Sequence, residues 1–389
     1  MSLHKENTKS TKDRNMFAFE NLYDDGMYYW FTAWSYNALF RMNKESWLVE
    51  YIGSFPNENL NSNRMFAQII EYENKLYFTP SHAKFIGVYD KENKIFNSID
   101  YSFFIGKNLN KQVEWNFYPA CQYNGNLYFF PHQEEYILKV NATSGDITTI
   151  SFINDELREG YIGTTWFFGI DVQGAIVYAP FNGLNAVLKL DMRNDKIEIC
   201  KVGERGVGYA DICFDGREFW LAPMHGGEIV RWDNKRNTFS KMEISKVTNN
   251  DYLFWGCAYI KNKVYFFPNS YNKALKVDIC NSKEYSLNEF INICDNEKGI
   301  YYSNYIYCES DGCHLLYMDK DIYLSEINEE NIMVRSEQLK LQPQNEDSYN
   351  MFISKVQEEA YTSAEKTNLE SSVFPLTDFL KRVLKNDRN

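Results

Sequence analysis

Asn124-Gly125-Asn126-Leu127-Tyr128-Phe129-Phe130-Pro131, followed by Ile137-Leu138-Lys139-Val140-Asn141, is the stretch that decides the fold. The Asn-Gly pair reads as a tight turn, because both residues accept the positive φ angles of a two-residue hairpin. The aromatic run behind it reads as a strand, since flat side chains suit a pleated, half-buried surface. Proline cannot donate to a sheet ladder, so Pro131 belongs at the strand's end. The second run alternates apolar and charged residues, one face in and one face out, and Asn141 starts the next turn.

The same unit recurs along the chain. Its turns fall at Asp25-Gly26, Asn74-Lys75, Asn124-Gly125, Gln173-Gly174, Asp215-Gly216, Asn262-Lys263 and Asp311-Gly312, with spacings of 49, 50, 49, 42, 47 and 49 residues. Behind each turn lies an aromatic or apolar strand, and five of these strands end on Pro80, Pro131, Pro180, Pro223 and Pro268. The next strand closes on Asp or Asn, as in Val187-Leu188-Lys189-Leu190-Asp191 and Ile229-Val230-Arg231-Trp232-Asp233, and a weaker fourth strand follows. Six units also carry an aromatic residue near the start of their first strand, at Phe19, Phe66, Phe117, Trp166, Tyr209 and Phe254; the seventh has Asn304 there. Four strands in roughly 48 residues make one propeller blade. Seven units over residues 16–341 predict an all-β, seven-bladed β-propeller with four-stranded antiparallel blades.

Two segments fall outside the ring. Residues 1–15 read as a disordered arm. Residues 342–389 lose the repeat and read as a linker with a short amphipathic C-terminal helix. In that tail Leu376, Phe379, Leu380, Val383 and Leu384 keep helical spacing, and Ser371, Ser372 and Pro375 suit a helix start. Such a helix packs on the propeller or docks into a partner's groove.

Composition narrows the function classes. Aromatic residues make up 17% of the chain, mostly 29 Tyr and 28 Phe, and the net charge is −12. That charge opposes binding to nucleic acid or to anionic membranes, because both need Lys and Arg to displace counterions. None of the eight Cys forms a Cys-x-x-Cys pair, and the polar opening residues lack the apolar core of a secretory signal. No apolar run approaches a membrane span. The expected location is the cytoplasm, with reduced thiols.

The units resemble the kelch and virginiamycin B lyase-like propellers. The closest local likeness is Gly26-Met27-Tyr28-Tyr29-Trp30-Phe31-Thr32 followed by Asn37-Ala38-Leu39-Phe40-Arg41-Met42-Asn43, echoed by Asn185–Asp191 and Asn272–Asp278. Streptogramin lyases repeat a similar glycine turn, aromatic strand and Asn-x-Ile-x-Arg-x-Asp strand. The kelch double glycine is missing from most units, and the sialidase Asp-box is missing altogether. The resemblance covers the ring and implies the fold rather than one activity. It also implies that the loops between strands two and three share a face with the blade-to-blade loops.

That face collects the candidate site. After the strand-two ends come Trp34-Ser35, Ser81-His82, His132-Gln133, Asn182, Met224-His225 and Asn269-Ser270. Three of the five His thus occupy one structural slot, where His82, His132 and His225 read as water-facing loop residues, as parts of a ligand site or as metal ligands. The blade-to-blade loops add Arg64, Glu114, Trp115, Trp166, Arg205, Tyr209 and Trp255, which suit a sugar or flat ligand or else pack between blades. The motifs imply no cofactor, with a divalent metal as the alternative for the histidines. No nucleophile elbow, phosphate loop or zinc spacing occurs in the sequence. The first expectation is a non-catalytic binding module holding a protein partner or a small-molecule or glycan ligand. The second is a lyase or glycan-active hydrolase using His82, His132 or His225, with Glu114 or Arg205 steering charge. The third is a structural subunit of a larger assembly.

Overall fold

A computed structural model describes residue 19 and residues 22–368, except 105–115, 162, 164, 205–207, 227, 245–252, 269–272, 282–283, 293–300, 310–311, 319–322, 329 and 331. It is a seven-bladed propeller. Each sheet runs through its strands in sequence order, innermost strand first. Blade 5 shows the pattern, with strands Tyr209–Phe214, Phe219–Pro223, Glu228–Asp233 and Thr238–Glu243. Successive strands pair antiparallel.

The second strand of each blade is apolar on both faces because both faces are covered. In blade 3, Leu127 and Phe129 pack toward blade 2, while Tyr128 and Phe130 pack toward blade 4. In blade 5, Phe219 and Leu221 face blade 4, and Trp220 and Ala222 face blade 6. The period-two alternation of a strand thus sorts neighbouring residues into two different cores. Among the described residues the buried side chains form a cluster at each of the seven blade junctions. Leu316, Met318 and Leu324 of blade 7 join Phe31, Phe40 and Met42 of blade 1, which closes the ring.

The turns are built in two ways. Asn124 and Gly125 adopt φ of 47° and 74°, and Tyr123 pairs with Asn126, as a two-residue hairpin requires. In blades 2 and 6 the tight turn sits one residue earlier than the sequence suggested. Glu73-Asn74 and Lys261-Asn262 carry the positive φ angles, and Lys75 and Lys263 already pair as strand residues. The asparagine takes the second central position, which glycine fills in blade 3. The Asp-Gly turns of blades 1 and 5 are different again, while Asp311 of the third expected pair lies outside the described residues. Only the glycine has positive φ, at 94° for Gly26 and 95° for Gly216. The aspartate caps the loop instead. Asp215 Oδ1 accepts from the Arg217 and Glu218 amides, each at 2.8 Å, and Oδ2 accepts from the Trp220 indole at 2.8 Å. Asp25 does the same for Met27, Tyr28 and Trp30. The Asp or Asn closing the third strand starts the next turn by accepting amides two and three residues on, as Asn43, Asp90, Asn141 and Asp233 do.

The chain's far end departs from the expected linker. Lys340–Leu341 adds a short parallel strand to the outer edge of blade 1, against Leu48 and Val49. A 26-residue helix, Pro343–Asn368, follows at once. Tyr349, Phe352, Ile353 and Val356 form its apolar stripe. Phe352 stacks on Tyr51 with ring centroids 5.1 Å apart. The Asn61 amide donates to the Val356 carbonyl at 3.0 Å, and the Leu60 N–H donates to Glu359 at 3.2 Å. The helix thus runs from the outer edge of blade 1 to the loop between blades 1 and 2. The expected helix at residues 376–384, and the arm at 1–15, lie outside the described residues.

Candidate functional site

The polar residues after each second strand are joined to the blade-to-blade loops by a belt of backbone hydrogen bonds. Arg64 N donates to Trp34 O at 2.8 Å, and His82 N to Arg64 O at 3.2 Å. Asn116 N reaches Ser81 O, and His132 N reaches Asn116 O. Trp166 N donates to His132 O at 2.7 Å, and Asn182 N to Trp166 O at 2.9 Å. Tyr209, Met224 and Leu253 carry the belt on to blade 6. Both kinds of loop therefore meet on one face. Their backbone groups must be satisfied away from a ladder, and the belt satisfies them from blade 1 to blade 6. It also holds the mouth of the channel in one shape.

The side chains on this belt have divergent fates. Trp166 and Tyr209 turn into the ring. Trp166 is buried against Phe152 and Tyr161, and the Tyr209 hydroxyl donates to Val202 O at 2.9 Å. Both serve inter-blade packing. Arg64 lays its guanidinium over the Trp34 ring, 4.4 Å from the centroid. Asn182 is half-buried and donates to the Thr165 hydroxyl. His82 is half-buried with Nδ1 3.0 Å from Arg64 O, and His225 is half-buried in the bend after the second strand of blade 5. Glu114, Trp115, Arg205 and Asn269 lie outside the described residues.

His132 is the most enclosed of the three histidines, at 3% exposure. Its Nδ1 lies 3.3 Å from Phe167 O, and since a carbonyl only accepts, the neutral ring carries its proton there. Phe168 packs edge-on against it at 4.5 Å. Burial, with a smaller push from His82, lowers its pKa to about 4. A histidine held neutral in the fold stabilises it above the unfolded pKa of ~6.5 and loses that contribution as pH falls toward the folded value. Wild type is therefore expected to lose about 2 kcal/mol more than His132→Gln between pH 7 and pH 4.5. Urea unfolding of both proteins at the two pH values measures the difference. Equal losses would mean that His132 is solvated.

Three rings from different blades meet across the channel mouth. Phe168 of blade 4 contacts Tyr118 of blade 3 at 5.8 Å and Trp255 of blade 6 at 5.7 Å. All three are half-buried, so each keeps part of its ring accessible. Trp255, expected in a blade-to-blade loop, sits on the innermost strand of blade 6, as Tyr209 does in blade 5, and among the described residues it joins the rings at the mouth.

Behind this layer lies a carboxylate that the sequence reading missed. Asp211, on the innermost strand of blade 5, is flanked by Gly169 and Gly256, the residues that follow Phe168 and Trp255. A Cβ on Gly169 would overlap its Oδ1, and one on Gly256 would stand 3.1 Å from Oδ2. Glycine on both neighbouring blades is what makes room for it. Oδ2 accepts from the Cys257 amide at 3.0 Å. Burial, reinforced by the charge of Asp171, raises its pKa to about 7. Asp171 itself accepts from the Phe214 amide at 3.0 Å, and Gln68 accepts from the Ala120 amide at 2.8 Å. Polar side chains on the inner strands therefore stitch one blade to the next. The available signal was one charged residue inside Tyr209-Ala210-Asp211-Ile212, an otherwise apolar inner strand.

Among the described residues no group of three or more His, Cys, Asp or Glu side chains is placed to hold a metal ion. None of the described helices is long and apolar enough to cross a membrane. A shallow cleft of about 270 Å³ lies away from the mouth, at the outer edge where blades 7 and 1 meet, beside Trp47, Tyr323 and Lys340. The mouth is the better candidate, because it joins half-exposed rings to an enclosed carboxylate.

No family model matches the chain, and no curated protein sequence matches it. Solved structures do. Virginiamycin B lyase from Staphylococcus aureus is 14% identical, with 82% of this chain and 94% of that one aligned and a TM-score of 0.57. A streptogramin B lyase is 16% identical over 79% and 91% of the two chains, with a TM-score of 0.54. The extracellular domain of a putative one-component system from B. thetaiotaomicron is 16% identical, covers 84% of this chain and 41% of that one, and gives a TM-score of 0.56. At these identities the likeness is one of fold, the seven-bladed propeller of the virginiamycin B lyase type.

Proposed function

We propose that this chain is a β-propeller binding module that holds a ligand or a protein segment over the mouth of its channel. The observation that carries the reading is the convergence of Tyr118, Phe168 and Trp255, from three blades, on one accessible layer. The belt of backbone hydrogen bonds supports it, since a mouth already fixed in shape loses little entropy when a ligand arrives. The lyase-type reading needs a histidine that exchanges protons near neutral pH. His132, buried and held neutral, does not supply one, so that reading falls back on His82 or His225.

A thermal-shift screen of wild type and Trp255→Ala against sugars, cyclic peptides, amines and candidate protein segments tests the proposal. A ligand of the native state raises the melting temperature by mass action. The expected result is a ligand whose affinity falls about tenfold or more in Trp255→Ala, as the loss of an aromatic anchor implies. Ligands that bind both proteins equally would move the site elsewhere. Turnover of a ligand that stops in His225→Ala would replace the binding module with the enzyme.

A further inference from the structure

We propose that the channel mouth selects an organic cation, an alkylammonium or guanidinium group presented by a small molecule or a side chain. The inference rests on the binding-module reading and adds the charge of the ligand. Three aromatic rings meet at the mouth, and aromatic faces attract cations through the ring quadrupole. Asp211 lies one residue behind two of those rings, touching the glycines that follow Phe168 and Trp255. The residue as a whole is half-buried, and its carboxylate is enclosed by those two glycines. The Cys257 amide partners Oδ2, the Ile212 amide also bonds the carboxylate, and Oδ1 faces Gly169. A cation on the ring layer therefore meets both the rings and a carboxylate.

The histidine packed against the ring layer does not oppose a cation. The His132 ring, packed between Tyr118 and Phe168, is uncharged at neutral pH and brings no competing positive charge. The same rim already shows the chemistry once, where the Arg64 guanidinium lies 4.4 Å over the Trp34 ring. The chain as a whole carries a net charge of −12, which draws cations toward it. An anionic ligand would face the Asp211 carboxylate at close range.

The test uses the full chain and calorimetric titration at constant ionic strength, with choline, its uncharged isostere 3,3-dimethylbutan-1-ol, and butyrate. Choline is expected to bind wild type at pH 8 at least tenfold more tightly than the isostere, with butyrate weakest. Asp211→Asn should erase the preference for choline while the isostere still binds. Trp255→Ala should weaken both. A second readout needs no variant. Choline affinity should rise about tenfold from pH 6 to pH 8 as Asp211 ionises. The titratable groups facing Asp211 are Asp171 from blade 4 and the thiols of Cys213 and Cys257 from blades 5 and 6; His132 stands nearby under Phe168. Burial pushes Asp211 up to about 7, inside this window, so a flat profile counts against the inference. Equal binding of choline and isostere to wild type overturns cation selection and leaves the binding module standing. So does a neutral or anionic ligand from the screen that outcompetes choline and is lost in Trp255→Ala. If no ligand from either experiment responds to Trp255→Ala, the binding-module reading itself fails.

Discussion

Replacing Trp220 by alanine is expected to destabilise the propeller by about 3–5 kcal/mol, the range for emptying a large aromatic site in a packed core. Trp220 has 0% exposure and sits in the cluster between blades 5 and 6, among Ile229, Phe254, Val264 and Phe266. Its indole N–H donates to Asp215, the residue that caps the hairpin loop of the same blade. The Arg231 guanidinium lies 5.5 Å from the ring centroid on the solvent side of the packing. The substitution therefore opens a cavity at a blade junction and leaves the Asp215 carboxylate without its indole donor. Trp220→Phe, which keeps most of the volume and loses only that hydrogen bond, should cost about 1–2 kcal/mol. Urea unfolding followed by tyrosine and tryptophan fluorescence gives both values. A loss below 1 kcal/mol for the alanine variant would mean that the blade 5–6 junction is not packed as described.

The second large effect belongs to the clasp formed by Lys340–Leu341 and the helix Pro343–Asn368. The double variant Phe352→Ala/Val356→Ala is expected to lose about 5 kcal/mol, summing one large and one medium truncation in a core. Phe352 is 5% exposed and Val356 1%, and both lie in the cluster that also holds the junction of blades 7 and 1. Weakening them should loosen the site where the ring closes, so trypsin cleavage near the blade 1–7 junction should accelerate. Substituting the exposed Met351 and Tyr361 of the same helix should change stability by less than ~0.5 kcal/mol. If the two pairs behave alike, the helix does not dock on blade 1.

How much of this was legible beforehand varies with the range of the interaction. The aromatic residues placed at the start of the first strands, from Phe19 to Phe254, are all buried at blade junctions. The strand-ending prolines are likewise strand residues or strand ends. The turns of blades 2 and 6 sit one residue before the expected pairs, because asparagine accepts positive φ at either central position and only the pairing of Lys75 and Lys263 decides between them; in blade 4 Gln173 pairs with Ile176, so the turn is Gly174-Ala175, one residue later. The helix at 343–368 gives little helical signal in the sequence because it is polar on most of its surface. Its apolar stripe of Tyr349, Phe352, Ile353 and Val356 is short, and its partner surface is on blade 1, some three hundred residues earlier in the chain.

The candidate site divides in the same way. The sequence brought Trp34, His82, His132, Asn182 and His225 to one face, because the repeat gives each the same place in its blade, and added Arg64 from a blade-to-blade loop. It could not tell Trp166 and Tyr209, which turn inward, from Trp255, which joins the rings at the mouth. The difference is set by which neighbouring blade each ring meets. Asp211 was passed over for the same reason. Alone it is one acidic residue in a strand, and its enclosure depends on Gly169 and Gly256 standing on either side of it.

The sequence by itself determined the blade, its number and its strand order, since turns, strand ends and alternation are contacts between residues close along the chain. Only the tertiary structure decided which side chains share the channel mouth, where the clasp closes the ring and which carboxylate is enclosed. Those depend on blades that are distant in sequence meeting around one axis, and no local pattern of residues encodes that meeting.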